Sequence, residues 1–162
     1  MSEFVKLRRA GDAGDAGDAA DAGYESPREA GMNFAAVLAE SAGRNPDLEL
    51  DVPEWDGPPA TAEEAVWRAL HEVPDPEFPI SLPDLGLIYG VSVDDRTARV
   101  AVTFTASACP CVEFIKWDIR DRLLLEPGIE AVEVEVTWDP PWTASRISER
   151  GRRALKRAGV AV

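Results

Sequence analysis

From Val132 to Trp138 the chain alternates without a break, Val132, Val134, Val136 and Trp138 against Glu133, Glu135 and Thr137. Successive side chains on a strand point to opposite faces, so this run demands a sheet with one covered face and one wet face. The cover is legible just upstream. Val112, Ile115, Ile119 and Leu123 recur at helical spacing until the Glu126-Pro127-Gly128 stop, which predicts a helix over about 110–125. Further back, GLIYGVSV, the polar turn DDRT and ARVAVTFT read as a β-hairpin, with Val100, Val102 and Phe104 on one face and Arg99, Ala101, Thr103 and Thr105 on the other. Thr61 and Glu64 form a capping-box pattern that opens a helix of roughly 62–72. Ser148 can cap a last helix of about 149–158, closed by Gly159. The sum is an α/β (α+β) two-layer domain, a small mixed sheet with helices on one face, in the order α-β-β-α-β-α.

Residues 1–60 are different in kind. They hold 13 Asp and Glu against 5 Lys and Arg, and the run GDAGDAGDAADAG offers no apolar face to bury. The expectation is an acidic, low-complexity, mostly disordered N-terminal arm on residues 1–60, with one short amphipathic piece at 33–41, ahead of a domain on residues 61–162. Across all 162 residues the net charge is −13, which argues against nucleic acid as a partner because phosphate contacts need a basic surface. No apolar run approaches the ~20 residues of a membrane span, and no secretory leader is legible, so the expected location is cytoplasmic and no membrane partner is expected.

The only two cysteines, Cys109 and Cys111, flank Pro110 where strand gives way to helix. In a reducing compartment they are too close in sequence for a structural disulfide, leaving small packing residues, reactive thiols or metal ligands as the open readings. With Pro110 at the first helical position, Cys109 falls at or next to the N-cap and Cys111 in the first turn. Unsatisfied N–H groups and the positive end of the helix dipole favour a thiolate there. The one histidine, His71, reads as an ordinary helix-surface residue, and two cysteines with one histidine are too few for a structural zinc site. Asp75 and Asp84, each beside a proline, suit turn-organising roles as well as metal or proton-transfer roles. Trp138 continues the inward strand face and is expected in the core, which leaves Trp142 as the candidate partner-binding residue. A basic tail gathers Arg146, Arg150, Arg152, Arg153, Lys156 and Arg157 on an otherwise acidic protein.

VPDPEFPISLPDLGLIYGV, VTFTASACP and VTWDPPWT, in this order and spacing, resemble the iron-sulfur (metal-sulfur) cluster assembly factor family, SufT-like and PaaD-like, over about residues 62–160. The family's DPE falls on Asp75, Pro76 and Glu77 and its DLG on Asp84, Leu85 and Gly86. The threonine and cysteine of its T…CP turn fall on Thr105 and Cys109, and its DPPW on Asp139 to Trp142. Cys111 departs from the family pattern, which has a small apolar residue there.

The resemblance implies a non-enzymatic assembly or maturation factor, with Cys109, and Cys111 if it adds a second ligand, contacting iron or an iron-sulfur cluster transiently. Asp75, Glu77, Asp84 and Thr105 are the supporting motif residues. The implied partners are client iron-sulfur or diiron enzymes, the phenylacetyl-CoA epoxidase system for a PaaD-like protein, and other cluster assembly proteins. One thiolate holds no cluster alone, so a homodimer, a client or a small thiol must complete the site. Two readings from other classes stay open at this point: a thiol enzyme with Cys109 as nucleophile, and a metal-free docking module.

Overall fold

The computed structural model describes residues 5–8, 50–105 and 111–160. Helix α1 spans Ala62–Leu70. Thr61 caps it by accepting from the Glu64 N–H at 3.1 Å, and the Glu64 carboxylate reaches back to the Ala60 N–H at 2.8 Å, one residue earlier than in a standard capping box. Strands β2 (Ile88–Asp94) and β3 (Thr97–Val102) pair antiparallel across a two-residue turn. Asp95 and Arg96 both take positive φ there, 44° and 63°, which matches the twist of a hairpin. A bulge between Ile88 and Gly90 leaves Tyr89 as the extra residue.

Helix α2 spans Val112–Leu123 and buries Ile115, Ile119 and Leu123. It carries the chain back so that β4 (Ala131–Val136) joins β3 in parallel, with Val100 opposite Val134 and Val102 opposite Val136. A 3-10 turn at Ala144–Arg146 leads to α3, Glu149–Arg157, which Ser148 caps by accepting from the Gly151 N–H at 3.0 Å. Gly159, at φ 79°, follows the end of α3. From residue 62 onward the element order and the two-layer arrangement are those expected.

Val66, Leu70, Ile115, Ile119 and Leu123 from α1 and α2 meet Ala98, Val100, Val102, Val132 and Val134 from the sheet in one core. Each fully buried aliphatic side chain there contributes about 1.5–3 kcal/mol.

Part of the segment expected to be a mostly disordered arm is described: β1, Val5–Arg8, pairs antiparallel with β4, Val5 opposite Val134, giving a sheet of order β1-β4-β3-β2. At the other end of the same segment, Asp51 forms ion pairs with Arg150 at 2.9 Å and Arg157 at 3.3 Å, and Trp55 lies against His71. The 33–41 piece lies outside the described residues. One expectation is corrected: the polar face of β4 is not uniformly wet. Glu133 is only 8% exposed, because β4 has a neighbour on each side and the Arg99 Nε donates to its carboxylate at 2.8 Å. No helix among the described residues is long and apolar enough to cross a membrane.

Candidate functional site

Because β3 and β4 run parallel, their C-terminal ends lie side by side, the position where open α/β sheets commonly place their chemistry. From β3 issues the segment Thr103 to Cys111, and from β4 the segment Thr137 to Trp142. Phe104 is buried at the root of the first and packs against the Trp138 ring of the second, centroids 6.1 Å apart. Thr103 is wholly buried. Its N–H donates to the Leu87 carbonyl at 2.8 Å, while its Oγ1 has no hydrogen-bond partner among the described residues. Thr105, next along, is exposed.

Cys111, not Cys109, is the N-cap of α2. Its carbonyl accepts the Ile115 N–H at 3.0 Å, and its side chain makes no capping hydrogen bond. The expected register was two residues too early, because proline's fixed φ suits the extended approach to a helix as well as its first turn. Cys111 is half-buried and packs against the core. Cys109 and Pro110 lie outside the described residues.

The motif carboxylates have identifiable occupations. Asp75 Oδ1 accepts the N–H groups of Glu77 at 2.9 Å and Phe78 at 3.1 Å, a side-chain turn that folds the proline-rich loop, and Glu77 is exposed. The same loop is closed by the Leu82 N–H donating at 3.1 Å to the carbonyl of Val73, three residues past the end of α1.

Asp84 is 4% exposed and sits at the centre of a polar knot. Its carboxylate accepts from Ser81 Oγ at 2.8 Å and from Ser148 Oγ, with His71 Nδ1 at 3.4 Å and Arg150 Nε at 3.8 Å. Its carbonyl accepts the Ser148 N–H at 2.9 Å. Burial pushes the Asp84 carboxyl up, but the hydrogen bonds from His71, Ser148 and Ser81 and the His71 charge outweigh it, so the group titrates below the usual Asp value. Asp84 therefore ties α1, the loop and α3 together, and its partners do not include Cys111.

Sequence reasoning missed His71 as a member of this knot. A lone histidine at a helix end gives no sign of what will pack on it, and here Trp55 covers it, ring centroids 5.6 Å apart. Glycines close the knot. A Cβ on Gly86 would meet Arg146 O at 2.5 Å, and one on Gly151 would meet Asp84 O at 2.4 Å.

The burial of the two tryptophans is the opposite of that expected. Trp142 is partly buried against the core and its indole N–H donates to Leu85 O at 3.0 Å, while Trp138 is 46% exposed. The alternation through Trp138 outlasts the strand, which ends at Val136, and the helices no longer cover the sheet face there. The basic tail is partly engaged. The Arg146 guanidinium lies 3.9 Å from the Tyr89 ring centroid and donates to Gly86 O at 3.1 Å, and Arg150 is shared between Asp51 and Asp84. Among the described residues no group of three or more His, Cys, Asp or Glu side chains is arranged to hold a metal ion.

Residues 63–136 match the family model described as iron-sulfur cluster assembly protein. An Fe-S protein maturation auxiliary factor of Porphyromonas gingivalis is 40% identical over 94 residues, 57% of this chain and 90% of that protein. One of Bacillus subtilis is 33% identical over 94 residues, 57% of this chain and 92% of its own length. A protein of Escherichia coli named as a component of 1,2-phenylacetyl-CoA epoxidase is 31% identical over 64% of this chain and 61% of its own. Among solved structures, a domain of unknown function from Bacillus anthracis superposes with a TM-score of 0.56 at 33% identity, covering 59% of this chain and 92% of that one.

Proposed function

Since the chain belongs to the iron-sulfur cluster assembly protein family, we propose that it is a maturation factor that places or repairs iron-sulfur clusters on client enzymes, with the Cys109–Cys111 turn as its contact with iron or with the cluster. The observation that carries this reading is the position of Cys111 at the N-cap of a 12-residue helix, beside the ends of two parallel strands. The first-turn N–H groups and the helix dipole favour negative charge there, so a thiolate in this turn is stabilised without a neighbouring base. Cys109 is the principal ligand, as the motif match implies, and Cys111 supplies a second sulfur. Thr105 flanks the turn, and Asp75 and Asp84 fix the loops beneath, with Glu77 presented at the surface.

Two sulfurs fall short of the four protein ligands a cluster ordinarily takes, so the cargo is held jointly with a client, a second copy of the chain or a small thiol, and is released as a client's own thiolates replace these. This is transfer of cargo, not turnover of a substrate into a product. The Escherichia coli relative's name supports the phenylacetyl-CoA epoxidase system as the client. A cytoplasmic location follows from the same reading.

Anaerobic reconstitution with iron and sulfide tests it. The intact chain should develop charge-transfer absorbance and pass the cluster to an apo-client, Cys109→Ser should do neither, and Cys111→Ala should do both at reduced occupancy. Normal client maturation by both variants would remove the cysteines from the mechanism. A stable covalent acyl adduct on Cys109 would replace the reading with a thiol enzyme.

A further inference from the structure

Charge is unevenly divided in this protein. Six of the twelve Lys and Arg residues after residue 60 fall between Arg146 and Arg157, with Glu149 the one acid among them. Arg152, Arg153, Lys156 and Arg157 are exposed on α3. Arg153 has Glu149 at 4.0 Å, and Lys156 has no ion-pair partner among the described residues. Among the described residues, Arg157 pairs only with the far side of a carboxylate that Arg150 binds more closely. The result is a cationic helix face on a chain of net charge −13.

That carboxylate is Asp51, from the segment that precedes the domain. Asp51 thus lies against α3, and the sequence ahead of it carries further acids. Asp12, Asp15, Asp18 and Asp21 recur every third residue, with no Lys or Arg between Arg9 and Arg28. The repeat is tethered on both sides: the 13 residues from Arg8, the end of β1, to Asp21 span up to roughly 45 Å and the 30 residues from Asp21 to Asp51 up to roughly 100 Å, against a helix length of about 14 Å for α3. The shorter tether sets the reach and leaves the most freedom to Asp15, Asp18 and Asp21. The tether also makes the encounter intramolecular, which raises the local concentration of these carboxylates over that of any free partner.

We infer that the acidic repeat of residues 12–21 docks on the exposed cations Arg153, Lys156 and Arg157 of α3, continuing the contact that Asp51 begins. α3 is then a self-occupied docking face, and an acidic partner reaches it only in competition with the chain's own repeat. The inference is independent of the cysteine turn and stands or falls separately from the cluster reading.

Carbodiimide coupling on the full chain tests it, because the sequence has only three lysines, Lys6, Lys116 and Lys156. At low salt, a product of monomer mass should join the tryptic peptide of residues 10–28 to that of residues 154–157 through Lys156. Its yield should fall several-fold in 1 M NaCl, where the screening length shrinks to about 3 Å. Changing Asp12, Asp15, Asp18 and Asp21 together to Asn should abolish it, with Lys116, already paired with Glu113, as the unchanged control. The same variant should bind immobilised heparin, a polyanion probe, roughly tenfold more tightly than the native chain once the tethered competitor is gone. Coupling of Lys156 only at dimer mass or only to Glu149, or equal heparin binding by the two proteins, would overturn the inference.

Discussion

Replacing Gly151 by Ala sets two effects of opposite sign against each other. Gly151 lies within α3, where an alanine should gain up to about 1 kcal/mol from helix propensity. The structure opposes this: a Cβ there would stand 2.4 Å from Asp84 O and 2.9 Å from Ile147 Cγ2. The nearer neighbour is backbone, and it cannot rotate away as a side chain would.

Relief requires α3 and the 81–87 loop to part, yet they are fastened by the Ser148 N–H to Asp84 O bond at 2.9 Å and by Ser148 Oγ to the Asp84 carboxylate. Overpacking of this kind costs about 1–3 kcal/mol, and stretching one or two hydrogen bonds adds about 1 kcal/mol each. After the propensity gain, a net loss of about 2 kcal/mol remains, or roughly 8–16 °C in Tm for a domain of this size. Urea and thermal unfolding of the Gly151→Ala protein measure it. An alanine variant as stable as the parent, or more so, would refute the close docking of α3 on Asp84.

Other perturbations separate the remaining roles. Asp84→Asn should destabilise at neutral pH and flatten the acid limb. The carboxyl titrates lower in the fold than in the unfolded chain, so its stabilisation is complete above the ordinary Asp value, about 4, and is lost as pH falls through the lowered folded value. Urea titrations between pH 7 and pH 3 should show the native protein losing stability faster than the variant, and parallel curves would count against the knot. Trp142→Ala should cost about 2–4 kcal/mol and Trp138→Ala under about 1 kcal/mol, since only the former packs on the core and satisfies Leu85 O; the reverse ranking in chemical denaturation would put Trp138 back in the core. Ile115→Ala should cost about 2–4 kcal/mol by denaturant titration, a cost near zero meaning that α2 packs by another face.

The parts legible in advance were those written in periodicity. The Val132–Val136 alternation, the Ile115, Ile119 and Leu123 stripe and the Thr61 and Ser148 caps each named an element whose bounds the structure reproduces within a few residues. What the sequence did not reveal depends on contacts between distant segments. His71, and Ser148 beyond its legible cap role, become partners of Asp84 only when α1 and α3 converge on it, and nothing local signals that contact. Strand β1 is only four residues long, Val5–Arg8, and is held by an edge of β4 more than a hundred positions away. Trp138 misled because period-two spacing says which way a side chain points and not how far the covering layer extends. The N-cap position slipped for a related reason: proline restricts the backbone at a helix entrance without fixing which residue comes first.

The polar knot also has a temporal consequence. The hairpin of β2 and β3 closes over two residues and can form as soon as those strands exist. The Asp84 carboxylate, four positions before β2, must wait for Ser148, 64 residues further along, before its last hydroxyl partner arrives. During synthesis from the N-terminus the early-made loop therefore carries a charged side chain with an incomplete set of donors until α3 is available, so it cannot bury that charge cheaply and stays hydrated. Completion of the domain is thus coupled to arrival of its last helix, and a chain interrupted before Ser148 keeps this corner open while the sheet beneath it is already paired.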